Sequence, residues 1–155
     1  MLKIGDLAPS FCAANQDDVE ICSRDLAGKW IVLYFYPKDL TPGCTTQACD
    51  FTDKHSFFDD LDAVILGVST DDTEKHRKFI DKYDLTITLL SDTDKKICED
   101  FGVWQLKQFM GKEFMGVVRT TFIINPEGKI AAIWDKVSVR KKKSVKGEKI
   151  EILHV

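Results

Sequence analysis

The sequence lacks the long apolar runs that place a chain in a membrane or in the secretory pathway. Its first residues, Met1–Asp6, contain no stretch resembling the apolar core of a signal peptide, and no later run could cross a bilayer. We therefore expect no membrane association and a cytoplasmic location. Repeats, low-complexity tracts and interdomain linkers are also missing, so the 155 residues predict a single domain, 1–155.

The five cysteines form none of the close pairs that bind zinc or catalyse dithiol exchange. C-x-x-C does not occur, and no histidines stand at zinc-binding spacing from the cysteines, so no metal site is expected. An odd number of cysteines makes a poor disulfide framework. Cys12, Cys22 and Cys98 are too scattered to suggest a pairing, and each is predicted to be a small apolar residue or a partly exposed thiol.

The charge balance gives little reason to expect a nucleic-acid partner. The net charge is −3, and the positive excess is confined to 136–149, where seven Lys or Arg stand beside one Glu. Such a run can contact acidic partners, but it is more often a solvated edge or turn. We expect no binding to nucleic acid and regard 136–155 as an atypical basic C-terminal segment.

Strands and helices alternate along the chain, which is typical of an α/β protein. Trp30–Tyr36 and Ala63–Ser69 predict strands buried on both faces, and a helix from Pro42 to about Phe58 connects them. A connection of this length indicates a βαβ crossover with parallel strands.

The later segments complete a mixed central β-sheet flanked by helices on both faces. Acidic residues before two helices, at Asp71-Asp72 and at Asp92, are explained by helix capping and need no metal. The further predicted elements are a helix to about Tyr83, a strand at Thr86–Leu90, a helix ending near Gly102, a less regular stretch at Val103–Gly116, a hairpin of Val117–Ile124 with Lys129–Trp134, and a short helix-like segment at 147–155.

Cys44 occupies the junction between the first predicted strand and the helix that follows. Thr41 is a good N-cap and Pro42 suits the first helical position, so Cys44 falls in the first turn. Backbone N–H groups there are unpaired and the helix dipole favours negative charge, so a thiol at such a position tends to ionise to the reactive thiolate. The alternative is a buried structural cysteine.

Cys49 lies five residues beyond Cys44 on the same predicted helix. Helix geometry places their Cα atoms about 8–9 Å apart, whereas a disulfide requires at most about 6.8 Å. The two thiols therefore cannot bond while the helix is intact. If they form a disulfide, the first turns of the helix must unwind.

The histidines offer no obvious base for Cys44. His55 is about 16 Å further along the helix axis, too far for direct proton transfer. His76 and His154 stand in no recognisable motif, and both are predicted to be surface residues. A permanent cation would stabilise a thiolate without taking a proton.

Arg119 is the candidate for that cation. It stands at the start of the predicted strand Thr120–Ile124, and strand ends are where α/β folds place their sites. The alternative is an ordinary edge-strand arginine, which the residues alone do not exclude.

These motifs resemble the peroxiredoxin family, in its bacterioferritin comigratory protein (peroxiredoxin Q) branch. The resemblance extends from about residue 3 to about 137, and its main motifs are Phe35-Tyr36-Pro37-Lys38, Thr41-Pro42-Gly43-Cys44-Thr45 with Ala48-Cys49, and Gly116–Ile124. It implies a thioredoxin-like fold and thiol-dependent peroxidase activity without a cofactor. Peroxides would be the substrates, and thioredoxin or a similar dithiol the reductant.

The resemblance also implies a role for each residue of the candidate site. Cys44 would be the peroxidatic cysteine and Cys49 the resolving cysteine. Thr41 would hydrogen-bond the thiolate and the peroxide, Pro42 would shield the cysteine from water, and Arg119 would be the cationic partner. Because both cysteines lie in one helix, catalysis requires no partner subunit, which favours a monomer.

Two other functions use the same thiols. A thioredoxin-type disulfide oxidoreductase also has a cysteine after a strand, but the four-residue gap between Cys44 and Cys49 argues against it. A redox sensor could use the pair as a switch and the basic segment for docking. Turnover of peroxide would separate the two, because a sensor is oxidised once and stops.

Overall fold

The computed structural model of the chain describes residues 2–135. Its strands are β1 (Cys12–Asn15), β2 (Glu20–Cys22), β3 (Trp30–Phe35), β4 (Ala63–Ser69), β5 (Thr88–Ser91), β6 (Trp104–Phe109), β7 (Lys112–Val117), β8 (Thr120–Ile124) and β9 (Ile130–Trp134). Its helices are α1 (Pro42–Asp53), α2 (His55–Asp60), α3 (Thr73–Tyr83) and α4 (Lys96–Asp100), with a 3-10 helix at Ser23–Leu26. The expectations for the basic segment, for 147–155 and for His154 lie outside the described residues.

Seven strands form one mixed sheet in the order β2-β1-β5-β4-β3-β8-β9. At its centre β3 runs parallel to β4 and antiparallel to β8, so that Leu33 pairs with Leu66 on one side and with Phe122 on the other. The predicted parallel crossover and the β8–β9 hairpin are confirmed. Among residues 2–135, no helix has the length and apolar character needed to span a membrane.

Side chains of β3 alternate between two hydrophobic cores, one on each face of the sheet. Leu33 and Phe35 pack with Phe101, which follows α4, whereas Tyr34 packs with Phe51 of α1 and with residues of α2 and α3. Full burial of side chains of this size stabilises the fold by about 1.5–3 kcal/mol each. The predicted α/β class with helices on both faces is confirmed, and β3 delivers the chain from the core directly into the loop before α1.

The long helix predicted from Pro42 to about Phe58 is interrupted. Lys54 has φ −102° and ψ 8°, which ends α1 at Asp53 and starts α2 at His55. The break lets α1 pack across the sheet while Phe58 of α2 still reaches the same core.

The stretch Val103–Gly116, expected to be less regular, forms most of the β6–β7 hairpin. Its two-residue turn is Met110-Gly111, with φ of 51° and 78°. Positive φ at both positions is typical of a type I′ turn, in which Asn-Gly is the usual sequence. Methionine rarely adopts this conformation, so only Gly111 signals the turn.

The β1–β2 hairpin corrects the expectation that Cys12 and Cys22 are unpaired. These residues face each other across the two strands and form a disulfide, with their Cα atoms 4.0 Å apart. The pairing depends on the hairpin, which the short strands did not signal. Cys98 is a free, fully buried thiol, as a small apolar residue would be.

Candidate active site

Cys44 lies in the first turn of α1, just past the end of the central strand β3. Thr41 is the N-cap and Pro42 the first helical residue. The Cys44 side chain is only 2% exposed, so its sulfur is reached by small groups rather than by bulk solvent. The first backbone N–H groups of a helix have no intrahelical acceptors and lie at the positive end of its dipole. This end of α1 therefore stabilises negative charge at the Cys44 sulfur.

Arg119 contacts the Cys44 sulfur directly. It lies between β7 and β8, and because β8 pairs with β3, the guanidinium reaches the start of α1. Its Nη2 is 3.0 Å from Cys44 Sγ. Its Nη1 donates to Gln47 Oε1 at 2.5 Å, so two bonds fix the plane of the guanidinium.

Gln47 is a site residue that sequence reasoning missed. It is fully buried and lies three residues after Cys44, on the same face of the helix. That spacing was the available signal, because a polar side chain on the inner face of α1 needs a buried partner. Gln47 supplies the acceptor that orients Arg119 toward the sulfur.

Thr41 and Pro42 lie at the entrance to α1. The Thr41 hydroxyl donates to the carbonyl of Lys38 at 2.8 Å. A hydroxyl has one hydrogen to donate, so in this orientation Thr41 offers Cys44 and its substrate only lone pairs. Pro42 is exposed and stands two positions before Cys44.

Cys49 is a free, partly buried thiol in the same continuous helix as Cys44. Burial raises the pKa of the Cys49 thiol, and the carboxylates of Asp53 and Asp50 raise it further. Five residues of α-helix separate the two Cα atoms by about 8–9 Å, beyond the span of about 6.8 Å that a disulfide allows. The two sulfurs therefore cannot join while α1 keeps its helical conformation.

The first half of α1 has few of the contacts that stabilise a helix start. Thr41 makes no side-chain cap, and no acidic residue stands in the first turn. The Thr46 hydroxyl donates to the carbonyl of Pro42 at 3.0 Å, a bond to the preceding turn that slightly destabilises helices. Further along, Phe51 is fully buried. Unwinding between the start of α1 and Phe51 also has to break the contacts of Arg119 with Cys44 and Gln47.

His76, expected at the surface, is fully buried beneath the loop that leads to Cys44. Its Nδ1 lies 2.5 Å from Asp39 Oδ2, and its Nε2 lies 3.0 Å from the carbonyl oxygen of Leu90. The Tyr36 hydroxyl is 2.5 Å from the other Asp39 oxygen, and the Asp39 backbone N–H donates to Asp71 Oδ2 at 2.7 Å. This buried network fixes the loop between β3 and α1.

Lys107 of β6 is a second cation near the site. Its Nζ donates to the carbonyl of Val117 at 3.0 Å. Burial lowers the pKa of Lys107, the positive charge of Arg119 lowers it further, and the negative charge of Cys44 acts in the opposite direction. Lys107 was not identified from the sequence because its strand was not predicted.

Two groups of potential metal ligands occur within the described part of the chain. They are Cys12, Glu20 and Cys22 in one group, and Asp39, Asp71 and His76 in the other. The two sulfurs of the first group are bonded to each other, and the members of the second hydrogen-bond to protein partners. The described side-chain contact of Cys44 is with Arg119, which belongs to neither group. The expectation that the site uses no metal stays a prediction.

The chain is similar to proteins of one family over almost all of its described length. The profile of the AhpC/TSA family matches residues 4–133. Peroxiredoxin Bcp of Bacillus subtilis is 50% identical over 139 residues, covering 90% of this chain and 88% of the relative. Peroxiredoxin Bcp of Escherichia coli is 45% identical over 134 residues, covering 86% of each.

Solved structures give the same result. The bacterioferritin comigratory protein of Xanthomonas campestris, described for its alkyl peroxide reduction activity, superposes with a TM-score of 0.81 at 37% identity, covering 90% of this chain and 88% of that chain. A PrxQ variant from Xylella fastidiosa superposes with a TM-score of 0.85 at 33% identity, covering 90% and 89%. The region of similarity includes the whole candidate site, from Thr41 to Arg119.

Proposed function

Since the chain belongs to the AhpC/TSA family of thiol-dependent peroxidases and is a peroxiredoxin, we propose that Cys44 is the cysteine that attacks the peroxide. The family and fold predicted from the motifs are thereby confirmed. The observation that carries the assignment of Cys44 is its contact with Arg119 Nη2, 3.0 Å from Sγ, at the start of α1. A thiolate so held is a nucleophile stabilised by charge without a neighbouring base.

In the first step the Cys44 thiolate attacks one peroxide oxygen in line with the O–O bond. An S–O bond forms, the O–O bond breaks, and the leaving oxygen takes a proton to become water or an alcohol. Arg119, held by Gln47, stabilises the negative charge as it moves from sulfur to the leaving oxygen. The Thr41 lone pairs accept a hydrogen bond from the peroxide O–H, and Pro42 shields the sulfenic acid from water.

In the second step Cys49 attacks the Cys44 sulfenic sulfur, releases water and forms a disulfide. This requires α1 to unwind, because the helical spacing of about 8–9 Å is too long. Both cysteines belong to one helix, so we propose that a monomer completes the cycle. An external dithiol of the thioredoxin type then reduces the disulfide, which suits a reducing compartment such as the cytoplasm.

We propose that both hydrogen peroxide and organic hydroperoxides are substrates. The relative from Xanthomonas campestris is described for alkyl peroxide reduction. In this chain Lys107, which lies near Cys44, pairs across the hairpin with Phe114, and Phe114 and Phe109 are exposed. These aromatic side chains offer an apolar surface for the alkyl part of a hydroperoxide.

Peptide mapping after one equivalent of hydrogen peroxide tests the assignment. The wild-type protein is expected to gain a Cys44–Cys49 disulfide, the Cys49→Ser variant a trapped sulfenic acid at Cys44, and the Cys44→Ser variant neither. A Cys49→Ser variant that still formed an intramolecular disulfide from Cys44 would exclude Cys49 as the resolving residue. Continuous peroxide consumption with thioredoxin separates the peroxidase from a sensor, which would stop after one oxidation.

A further inference from the structure

The Cys12–Cys22 disulfide lies far from the peroxidase site. Strands β5 and β4 separate β1 from β3, the strand that leads to Cys44. Three strand spacings correspond to about 14 Å across the sheet. The disulfide therefore cannot exchange with Cys44 or Cys49 inside the folded protein, and any redox chemistry at this position is separate.

The two sulfurs of this disulfide differ in their access to solvent. Cys12 is exposed on the outer strands of the sheet, whereas Cys22 is only 2% exposed. A cavity of about 520 Å³ opens beside them and is lined by both cysteines and by Arg24, Ser91 and Lys96. A thiol that enters this cavity can reach Cys12.

The charges around the disulfide distinguish the two sulfurs further. Arg24 Nη1 lies 3.9 Å from Cys12 Sγ, so its positive charge attracts an incoming thiolate to that sulfur. Glu20 Oε1 lies 3.7 Å from Cys22 Sγ, where it accepts a hydrogen bond once Cys22 is a thiol. Access and the positive charge of Arg24 select Cys12 as the sulfur that is attacked. Cys22 is then the sulfur released, and because the Glu20 carboxylate disfavours its thiolate, it leaves as it takes up a proton.

The hairpin has contacts that remain when the disulfide is broken. Asn15 Oδ1 accepts hydrogen bonds from the backbone of Asp17 and Val19 across the turn, at 2.9 and 3.0 Å. Asp18 bonds to Thr73 and to Arg77 of α3. Strand β1 also pairs with β5. Reduction can therefore leave Cys12 and Cys22 facing each other, ready to be oxidised again.

We propose that Cys12 and Cys22 form a second redox couple, which dithiols reduce and hydroperoxides reoxidise without Cys44. A thiolate of the dithiol attacks Cys12 Sγ, the S–S bond breaks, and Cys22 leaves with the electron pair and takes a proton. The second thiol of the dithiol then attacks its own sulfur in the mixed disulfide and releases Cys12. The protein gains two electrons and two protons, and the dithiol becomes a disulfide.

Reoxidation uses the same peroxide that the enzyme consumes. The Cys12 thiolate attacks a hydroperoxide, an alcohol or water leaves, and Cys12 becomes a sulfenic acid. Cys22 then attacks the Cys12 sulfur, water leaves, and the disulfide forms again. The protein thereby holds one further pair of oxidising equivalents outside the peroxidase site.

The test uses the Cys44→Ser/Cys49→Ser double variant, so its result does not depend on the proposed peroxidase roles. The folded variant is treated with dithiothreitol, alkylated and mapped by mass spectrometry. After removal of the dithiothreitol, the exposed Cys12 is expected to be alkylated, and one equivalent of hydrogen peroxide before alkylation is expected to protect it and to restore the Cys12–Cys22 disulfide in the peptide map. Cys98, which is fully buried, serves as the internal control that stays unmodified in folded protein. Alkylation of Cys12 only after denaturation, or peroxide treatment that leaves Cys12 and Cys22 as free thiols, would overturn the proposal.

Arg24 provides a second, kinetic test. The Arg24→Gln variant is expected to be reduced more slowly by about fivefold at low salt, the effect of one charge acting at 4 Å through water. The Arg24→Lys variant keeps the charge and is expected to retain most of the rate. An unchanged rate in Arg24→Gln would contradict attack at Cys12.

Discussion

The imidazole of His76 and the carboxylate of Asp39 form a buried pair, with Nδ1 2.5 Å from Oδ2, below the loop that leads to Cys44. The other ring nitrogen, Nε2, faces the carbonyl oxygen of Leu90 at 3.0 Å. A carbonyl can only accept, so Nε2 donates to Leu90 while Nδ1 faces the carboxylate. The pair thereby joins α3 to the segment that positions Cys44.

Replacing His76 should strongly destabilise the protein. In His76→Ala the Asp39 carboxylate loses its buried partner, and we expect the free energy of unfolding to fall by about 3–5 kcal/mol. Urea denaturation measures this change. The control is His55→Ala, which removes two partly exposed contacts, with Asp59 at 3.4 Å and with the Thr86 hydroxyl at 2.7 Å, together worth about 1–2 kcal/mol. Equal effects of the two substitutions would show that the His76–Asp39 pair does not hold the loop.

Removing the guanidinium of Arg119 should slow the oxidation of Cys44. We expect Arg119→Met to lower the second-order rate with hydrogen peroxide by about 10²–10³, the usual effect of losing a donor that stabilises transition-state charge. Arg119→Lys keeps the charge but loses the two-point contact, so its rate should lie between the two. Stopped-flow measurements on reduced protein give these rates. A wild-type rate in Arg119→Met would remove Arg119 from the site.

Gln47 should contribute less, because it acts by orienting Arg119. Loss of one hydrogen bond to a charged group, about 1.5 kcal/mol, predicts a decrease of about tenfold in the same rate for Gln47→Ala. Gln108→Ala, at an exposed position on β6, is the control. If Gln47→Ala keeps the wild-type rate while Arg119 is intact, Gln47 has no part in the reaction. A loss that disappears in the Arg119→Met background supports the orienting role.

Stabilising the first half of α1 should slow disulfide formation without changing the attack on peroxide. Thr46 is exposed in this half, and Thr46→Ala improves helix propensity by about 0.6 kcal/mol, which corresponds to an unwound population about threefold smaller. Rapid acid quench followed by mass spectrometry measures the conversion of sulfenic acid to disulfide. Ser56→Ala makes a similar change in α2, outside the unwinding segment, and should leave the conversion unaffected. Identical conversion rates in Thr46→Ala and the wild type would mean that unwinding does not control this step.

The conversion of the Cys44 sulfenic acid to the disulfide should become faster as the pH rises. Burial, with Asp53 and Asp50, raises the pKa of the Cys49 thiol, so the thiol is protonated at neutral pH and its attacking thiolate form increases in the alkaline range. Asp53→Asn removes one of the carboxylates and should shift the pH–rate profile toward lower pH, more clearly at low salt. Asp60→Asn, in α2, is the control. A conversion rate independent of pH would show that Cys49 ionisation is not part of the step.

The central strands and the position of Cys44 at a helix start were predictable because both have strong local signals. Trp30–Tyr36 is apolar throughout, and Thr41 and Pro42 mark a helix start. The burial of His76 could also have been predicted from the sequence, but it was missed. His76, Phe79, Ile80 and Tyr83 follow the spacing of an amphipathic helix whose inner face includes the histidine.

The remaining features depend on contacts between distant parts of the chain. Cys12 and Cys22 pair only because two very short strands form a hairpin at the sheet edge. Lys107 reaches the site only because Met110 adopts a backbone conformation that methionine seldom takes. Local sequence carries almost no information about either arrangement.

In the proposed cycle, the segment of α1 that unwinds is held at both ends, by the Asp39 network on one side and by the buried Phe51 on the other. The chain between the two fixed ends is short. Cys49 in the unwound segment therefore stays close to Cys44, at an effective concentration of the order of millimolar. A second peroxide molecule must compete with that local concentration to oxidise the sulfenic acid further. At micromolar peroxide the neighbouring thiol is present in about a thousandfold excess, so the fixed ends of this segment protect the enzyme from irreversible oxidation.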